Sequence, residues 1–429
     1  DPRRFGDYAN KEWTREKVRE AWGTHAEQKY PGQDMPAARP QKTAPSYDRL
    51  TELGAVWGVL NGWEMPNWFA RDGVEAKDQY SWRWTAKGNL VGEEVLAVRN
   101  AVGLVEMTPM TKFEVSGPNA AAWLDRIIAN RLPAVGKVTL AHQLAASGGV
   151  QAEYMVARLG EDFFYLISTP RAERWNFDDL SRLLPADGSV RLTNVTNDRG
   201  CFTIVGPKAR EVLRPLTEID LSNESFPWFG VKTGTVALAS DVRLLRVNYE
   251  GELGWELYHP LPYQRQLLDA LLKEGEKHGM RLVGLHALES LRLEKSYRAV
   301  YRDMNPELNA LESGLERFIR LDKGDFVGRD AVLKYKERND QRRSVTLRID
   351  TDGASTLANE GLYSDGALVG RVTSGGYGYA LGHDVALALL PERLSKPGTK
   401  LDVAILGEWR IAEVIADSPY DPTSARARM

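Results

Sequence analysis

Two segments of this chain repeat one local pattern, and the repeat constrains the fold more than any other feature. The segments KFEVSGPNAAAWLDRIIANRLP and CFTIVGPKAREVLRPL each place an apolar strand before a Gly-Pro pair and a helix after it. Pro is favoured in the first turn of a helix, so Pro118 and Pro207 mark two helix starts. The two pairs lie about 90 residues apart, which predicts an internal duplication of one α+β unit.

The other segments divide the chain into three parts. Residues 1–46 are polar and rich in Pro, as in an arm or linker. Residues 47–335 are predicted to form a two-lobed α+β body that holds the duplicated unit. Paired strands are predicted in LAASGGVQAEYMVARLGEDFFYLIST, and helices in YQRQLLDALLKEGEKHG and LHALESLRLEKSYR. Residues 340–429 alternate short β-type runs with the turns SDG, SGGYGY and KPGTK, as in a small antiparallel barrel or sandwich.

Composition excludes several classes of function. The net charge of −3 gives no sign of a nucleic-acid partner, and no apolar run approaches the length of a membrane span. A single cysteine, Cys201, excludes internal disulfides, and no Cys/His cluster has the spacing of a metal site. The glycines of GGYGYALG precede no helix, so we interpret them as a turn and not as a phosphate loop. We expect a cytoplasmic protein, or one of the mitochondrial matrix if the source is eukaryotic.

The stretch YEGELGWELY suggests a binding surface. Residues two apart on a strand share a face, so Glu256 and Tyr258 point one way and Trp255 and Leu257 the other, with Tyr249 just across the turn. One explanation is a hairpin with a wet face and a dry face. The other is a site for a flat, nitrogen-rich ligand, held by aromatic stacking and a charged acceptor.

Seven motifs occur in the order seen in one known family. They are KFEVSGPNA, SGGVQAEYMVARL, RVNYEGELGWELY, LESLRLEKSYR, LDKGDFVGRDAV, VGRVTSGGYG and the closing YDP. In these motifs the chain resembles the aminomethyltransferase (glycine-cleavage T-protein) superfamily. The segments DPRRFG, YPGQDMPAARP and GAVWGVLNGWEMPNWFA further resemble the folate-binding half of dimethylglycine and sarcosine dehydrogenase type enzymes. The resemblance implies an α+β, three-domain cloverleaf aminomethyltransferase-like fold that binds tetrahydrofolate, with a C-terminal antiparallel β-barrel domain.

The resemblance also implies roles for individual residues. Tyr249, Glu256 and Tyr258 fall on pterin-binding positions. Glu153 stands where the family usually has Asp near folate N10, which makes it the candidate catalytic residue; a surface-strand Glu is the alternative. Tyr301 stands where the family has Gly, and it would fill space near the folate channel.

Three further residues have more than one interpretation, and a fourth has one. Arg246 reaches the folate carboxylate tail, pairs with Glu256, or forms a structural ion pair elsewhere. Met110 and Phe113 line the folate site or pack in the core. We interpret Glu252 as a turn or capping residue.

The function implied by the resemblance is tetrahydrofolate-dependent one-carbon transfer. The imine or formaldehyde from oxidative N-demethylation of a dimethylglycine- or sarcosine-like amine would be captured as 5,10-methylenetetrahydrofolate. FAD is expected in a separate flavin-containing domain or partner subunit. The alternatives are a methyltransferase or demethylase that yields 5-methyltetrahydrofolate, and a non-catalytic folate-fold scaffold for a flavin oxidoreductase.

Overall fold

A computed structural model describes residue 6 and residues 8–429. The helices of this described part are α1 Lys11–Gly23, α2 Tyr47–Glu52, α3 Ala86–Asn100, α4 Ala120–Ile127, α5 Glu173–Arg182, α6 Ala209–Leu213, α7 Gln264–Glu276, α8 Leu285–Glu294 and α9 Arg329–Lys336. Its strands are β1 Ala55–Leu60, β2 Trp63–Phe69, β3 Gly103–Glu106, β4 Thr111–Ser116, β5 Val138–Leu144, β6 Val150–Gly160, β7 Phe163–Ser168, β8 Arg191–Asn194, β9 Arg199–Val205, β10 Val231–Val236, β11 Ala239–Leu245, β12 Gly254–Pro260, β13 Arg281–Val283, β14 Arg342–Ile349, β15 Gly361–Ser364, β16 Ala367–Gly378, β17 His383–Pro391, β18 Lys400–Ile405 and β19 Glu408–Ile415. None of these helices is long and apolar enough to cross a membrane.

The predicted duplication is present in the topology. The order β4–α4–β5–β6–β7–α5–β8 is followed along the chain by β9–α6–β10–β11–β12–α7–β13. The first set forms a sheet in the order β5-β6-β7-β4-β8, and the second a sheet in the order β10-β11-β12-β9-β3-β13, with β3 inserted before the last strand. The two lobes of the body are therefore two copies of one unit.

The Gly-Pro pairs lie in the turns before the helices. Gly117 and Gly206 have φ values of 122° and 132°, and a Cβ on either would approach a backbone oxygen to 2.4 Å or 2.5 Å. Helices α4 and α6 begin after a closing turn, so Pro118 and Pro207 precede the helices and do not lie in their first turns. The spacing located the turns correctly but placed the helix starts two residues too early.

The two sheets meet face to face in an apolar layer. Helices cover the opposite faces: α4 and α5 pack on the first sheet, and α6 and α7 on the second. We call the layer between the sheets the inter-sheet cluster. Its buried members are Val138, Ala157, Tyr165, Ile167, Val195, Cys201, Val231, Leu245, Val247 and Tyr258, with Met107, Met110, Met155, Leu159 and Phe229 packed against them. Side chains on the inner faces of β6 and β12 consequently point toward each other's sheet.

The C-terminal strands close a barrel in the order β14-β17-β16-β15-β18-β19. The sequence left a barrel and a sandwich open, and the structure shows the barrel. The GGYGYALG segment ends β16 and turns into β17, as predicted.

The first part of the chain is more structured than the prediction of an arm or linker. Residues Lys11–Gly23 form α1, whose amino end is capped by the Asn10 side chain. This helix buries none of its residues, so it lacks the apolar stripe by which a helix is recognised in a sequence. Arg39 then ties the segment to β2, since its guanidinium donates twice to the buried Glu64 carboxylate.

The last residues leave the barrel and return to the body. Tyr420 and Arg426 both donate to Glu252, which also pairs with Arg99 at 3.1 Å. Arg99 in turn pairs with Glu294 at 2.7 Å. Glu252 lies in the turn, as predicted, but it is fully buried and its carboxylate also holds the chain terminus to the body.

Candidate functional site

Strand β12 presents its side chains as the alternation predicts. Trp255 and Leu257 are fully buried on one face, among the residues under α6 and α7. Glu256 and Tyr258 occupy the other face, toward the first sheet. Tyr258 Oη donates to Glu256 Oε2 at 2.7 Å, so the two predicted residues act as a pair.

Tyr258 cannot serve as a stacking platform. Only 1% of it is exposed, and its ring makes an edge-on contact with Tyr165, with ring centroids 5.4 Å apart. The expectation that this ring stacks on a ligand is therefore wrong. Its hydroxyl instead fixes the orientation of the Glu256 carboxylate.

Glu256 lies in surroundings that favour its neutral form. Burial raises its pKa to about 8, against the lowering effect of the Tyr258 hydrogen bond, and the nearby Glu250 raises it further. Glu250 is itself buried, its pKa is raised by burial to about 7, and its Oε2 has no hydrogen-bond partner among the described residues. In the described part of the chain, Glu256 thus accepts one hydrogen bond, and the Glu250 carboxyl whose charge acts on it has one buried oxygen without a donor. A ligand that offers several N–H groups would supply what this arrangement lacks.

Glu153 lies on the facing sheet. It alternates on β6 with Met155 and Ala157, which belong to the inter-sheet cluster, so its side chain is on the inner face. Its side chain keeps 22% of its surface exposed, and its Oε2 lies 2.9 Å from Nε2 of His142 on the neighbouring strand. Its Oε1 has no partner in the part of the chain that the structure describes. An oriented carboxylate with one unpaired oxygen can accept a proton or stabilise a cation.

Tyr249 lies in the loop between β11 and β12. Its Oη donates to the carbonyl of Arg298 at 2.9 Å, and its ring stacks on Tyr297 with centroids 5.9 Å apart. Burial raises its pKa, and Glu153 is among the charges acting on it. Tyr249 is therefore fixed to the loop after α8, on the side of the interface where Glu153 lies.

Arg246 lies on the far face of the second sheet. Its guanidinium packs over the Trp255 ring at 5.7 Å and donates to the carbonyls of Phe226 and Met429, each at 2.7 Å. The expected ion pair with Glu256 is not formed, because the two side chains project to opposite faces of the sheet. Arg246 binds the end of the chain.

Met110 and Phe113 lie in different hydrophobic clusters of the structure. Met110 is half-buried and packs against the inter-sheet cluster, so it lies at the candidate site. Phe113 is fully buried against the helices that cover the first sheet, with Phe177 of α5 at 5.6 Å. Of the two readings of Phe113, core packing is the correct one.

Sequence analysis did not predict the buried ion pairs that Arg292 forms. Arg292 is fully buried in α8 and pairs with Asp303 at 3.0 Å and with Glu289. Asp303 also accepts from the hydroxyls of Thr373 and Ser374 on β16. The arginine between two leucines in LESLRLE was the available signal.

Tyr301 adopts a conformation that explains a glycine at this position in the family. Its φ is +66°, in the left-handed region that glycine reaches without strain. Its Oη donates to the carbonyl of Gln151 at 3.3 Å, two residues before Glu153 on β6. The Tyr301 side chain thus reaches the strand that carries the candidate catalytic residue.

A duplicated α+β body joined to a six-stranded barrel defines the aminomethyltransferase fold. The solved structure of glycine cleavage system aminomethyltransferase T from Bartonella henselae matches with a TM-score of 0.77 and 24% identity, over 89% of this chain and 98% of that one. The family model described as GCVT N-terminal domain matches residues 46–323, and the glycine cleavage T-protein C-terminal barrel domain matches residues 342–421. A third model, FAD dependent oxidoreductase central domain, matches residues 1–44. The chain belongs to the glycine cleavage T-protein family of folate-dependent, aminomethyltransferase-like domains.

The curated proteins that are similar to this chain include dehydrogenases, an aminomethyltransferase and a regulatory subunit. Mitochondrial dimethylglycine dehydrogenase of Homo sapiens is 34% identical over 97% of this chain and 48% of its own length. A probable aminomethyltransferase of Thermococcus gammatolerans is 32% identical over 84% of this chain and 92% of its own. The mitochondrial pyruvate dehydrogenase phosphatase regulatory subunit of Mus musculus is 30% identical over 90% of this chain and 45% of its own. The chain spans about half the length of the dimethylglycine dehydrogenases it matches.

Proposed function

We propose that this chain transfers one carbon to tetrahydrofolate. It takes the imine or formaldehyde released by oxidative N-demethylation of a dimethylglycine- or sarcosine-like amine and yields 5,10-methylenetetrahydrofolate, with the demethylated amine leaving from the imine or water leaving from formaldehyde. Membership of the family and the similarity to dimethylglycine dehydrogenases support the class of reaction. The amine and the product belong to the proposal.

The single observation that carries the proposal is the Glu256 carboxyl, which faces the first sheet with one hydrogen-bond donor. Among the described residues, Glu256 has one hydrogen-bond partner, and Glu250 beside it has an unpaired buried oxygen. The pterin ring of tetrahydrofolate carries a 2-amino group and ring N–H groups along one edge, which are the donors these carboxyl groups need. A hydrogen bond to a charged group is worth roughly 1.5–3 kcal/mol, enough to draw Glu256 into its ionised form. The residues present therefore fit the ring, with Tyr258 holding the acceptor in place.

Glu153 performs the proton chemistry in this proposal. Tetrahydrofolate supplies amine nitrogens that accept the one-carbon unit. The Glu153 carboxylate stabilises the cationic imine by its charge and takes the proton released by the attacking nitrogen at its unpaired Oε1. The side chain is anchored through Oε2, so accepting a proton requires no reorientation.

The imine or formaldehyde that donates the one-carbon unit is produced by an oxidation, and we propose that a flavin-containing domain or subunit performs it. Removing an N-methyl group oxidatively needs an electron acceptor, and FAD is the cofactor named by the family model that matches residues 1–44. The dimethylglycine dehydrogenases are about twice as long as this chain, which leaves room in them for such a domain. We propose that the imine reaches the inter-sheet site from that partner.

A non-catalytic scaffold is the second candidate. The observation in its favour is the similarity to a protein named a regulatory subunit, at 30% identity over 90% of this chain. The strained Tyr301 next to the strand of Glu153 is compatible with a closed site.

Product analysis tests the proposal. The chain is titrated with tetrahydrofolate anaerobically by calorimetry, then incubated with limiting formaldehyde, and folate products are quantified by mass spectrometry against a protein-free blank. We expect binding and 5,10-methylenetetrahydrofolate formation above the blank, with Glu153→Gln reducing the enzymatic rate by about 10²-fold or more. In a parallel incubation with an N-, O- or S-methyl compound as the donor in place of formaldehyde, a 5-methyl product would support the methyltransferase alternative. Binding without any rate above the blank would support the scaffold.

A further inference from the structure

His142 is buried beside the candidate catalytic residue and is absent from the sequence-predicted site. It lies on β5 directly across from Glu153 in the register of β5 and β6. Its side chain is fully buried, and its Nε2 is 2.9 Å from Glu153 Oε2. Its ring packs against Phe318, with centroids 5.6 Å apart. The imidazole therefore has one polar contact and an apolar wall.

The other ring nitrogen decides which form of His142 fits. Nδ1 is buried and has no hydrogen-bond partner within residues 8–429. In a neutral ring, an N–H at Nδ1 would be a buried donor without an acceptor and would leave a bare Nε2 facing the carboxylate oxygen. A proton on Nε2 instead makes Nε2 the donor to the carboxylate oxygen 2.9 Å away, so that only Nδ1 is left unpaired.

Other polar groups lie around His142 and Glu153, but they do not donate to the Glu153 carboxylate. From β7, Ser168 donates its hydroxyl to the Glu153 carbonyl and not to its carboxylate. From the β11–β12 loop, Tyr249 is committed to the Arg298 carbonyl. No other described side chain donates to the Glu153 carboxylate.

We propose that His142 is a positioning residue for Glu153. As the Nε2–H tautomer it donates to Oε2, fixes the carboxylate rotamer across the strand pair, and leaves Oε1 directed at the reacting nitrogen. The positioning role rests on the proposed one-carbon transfer, whereas the tautomer and the hydrogen bond do not.

Ring ¹⁵N NMR of histidine-labelled protein tests the hydrogen bond without any activity. His142→Phe assigns the resonance by removing it, and Phe keeps the ring packed against Phe318. We expect a ring with its proton at Nε2 and a bare Nδ1, and a changed Nε2–H shift in Glu153→Ala. Protonation at Nδ1, or a resonance indifferent to Glu153→Ala, would overturn the inference.

A double-mutant cycle tests the positioning role. We expect His142→Phe to lower kcat by about 10²-fold with the KM for tetrahydrofolate unchanged, because a displaced carboxylate loses its alignment and not its charge. His142→Gln, whose amide also donates, should recover most of that loss. In a Glu153→Gln background, His142→Phe should cost less than about 2-fold, because His142 acts through Glu153.

The outcomes separate this inference from the proposed function. Equal losses in both backgrounds, or a His142→Gln variant as slow as His142→Phe, would show that His142 does not act through Glu153. Wild-type protein that binds no tetrahydrofolate or forms no product would refute the proposed function, and the NMR result would still decide the hydrogen bond. Melting temperatures of all variants identify any loss that is only structural.

Discussion

Replacing Glu256 by Gln should change stability and folate affinity in opposite directions. In the folded chain the pKa of this carboxyl is about 8, against an ordinary value of 4.5. The folded state therefore keeps a proton that the unfolded state releases in the range between these values, and stability falls as the pH rises through it. Gln has no proton to lose, so Glu256→Gln should escape that fall.

The size of the effect follows from the two pKa values. Between pH 5.5 and 8.5, linkage gives a loss of up to about 3 kcal/mol of unfolding free energy in the wild type that the variant does not show. A pH-independent effect of the amide on the unfolding free energy cancels when the difference between variant and wild type at pH 5.5 is compared with that at pH 8.5. Tetrahydrofolate affinity at pH 7.5 should meanwhile fall about 10- to 100-fold, since a charge-assisted hydrogen bond worth roughly 1.5–3 kcal/mol is lost.

Urea denaturation of the ligand-free chain at both pH values, together with calorimetric titration, measures the two effects. Glu337→Gln is the matched control, because it makes the same substitution on an exposed helix end. A variant whose stability relative to wild type is the same at pH 5.5 and 8.5 would refute the electrostatic reasoning. Unchanged affinity would refute the assignment of Glu256 as the pterin acceptor.

Three further predictions follow from the same contacts. Ionisation of Glu256 on binding should release close to one proton per tetrahydrofolate at pH 7, seen by calorimetry in buffers of different ionisation enthalpy; no release would mean that the carboxyl binds as the neutral acid. Tyr258→Phe removes the hydroxyl that orients Glu256 and should weaken tetrahydrofolate binding by up to about 10-fold in the same titration, whereas unchanged affinity would show that the hydroxyl is dispensable. Glu252→Ala leaves Arg99 and Arg426 without their shared carboxylate and should lower the unfolding free energy by about 3–5 kcal/mol, measured by urea denaturation. A loss below about 1 kcal/mol would count against a role of Glu252 in holding the terminus.

Local pattern was enough to define the elements of the site. The alternation in GWELY placed Glu256 and Tyr258 on one strand face, and the structure bears this out. The repeated Gly-Pro units gave the duplicated body, because the glycine turns need a backbone conformation that other residues adopt only with strain. The family motifs supplied the ligand class, which no periodicity in the chain encodes.

Contacts between distant segments were not available from local pattern. Arg246 and Glu256 are ten residues apart on a hairpin, yet the register pairs Glu256 with Leu245, so the next side chain, that of Arg246, points to the opposite face. Glu252 reads as an ordinary turn residue until the chain terminus returns to it. His142 is one of six scattered histidines in the sequence.

The sequence by itself determined the strand and helix of each repeated unit, the duplication and the strand face that carries Glu256, because these depend on neighbours a few residues apart. Only the tertiary structure decided which groups are buried, which are paired and which keep an unpaired atom. Those properties arise when β5, β6, β11 and β12 pack into one interface, where loss of water raises the Glu256 pKa and the strand register brings His142 to Glu153.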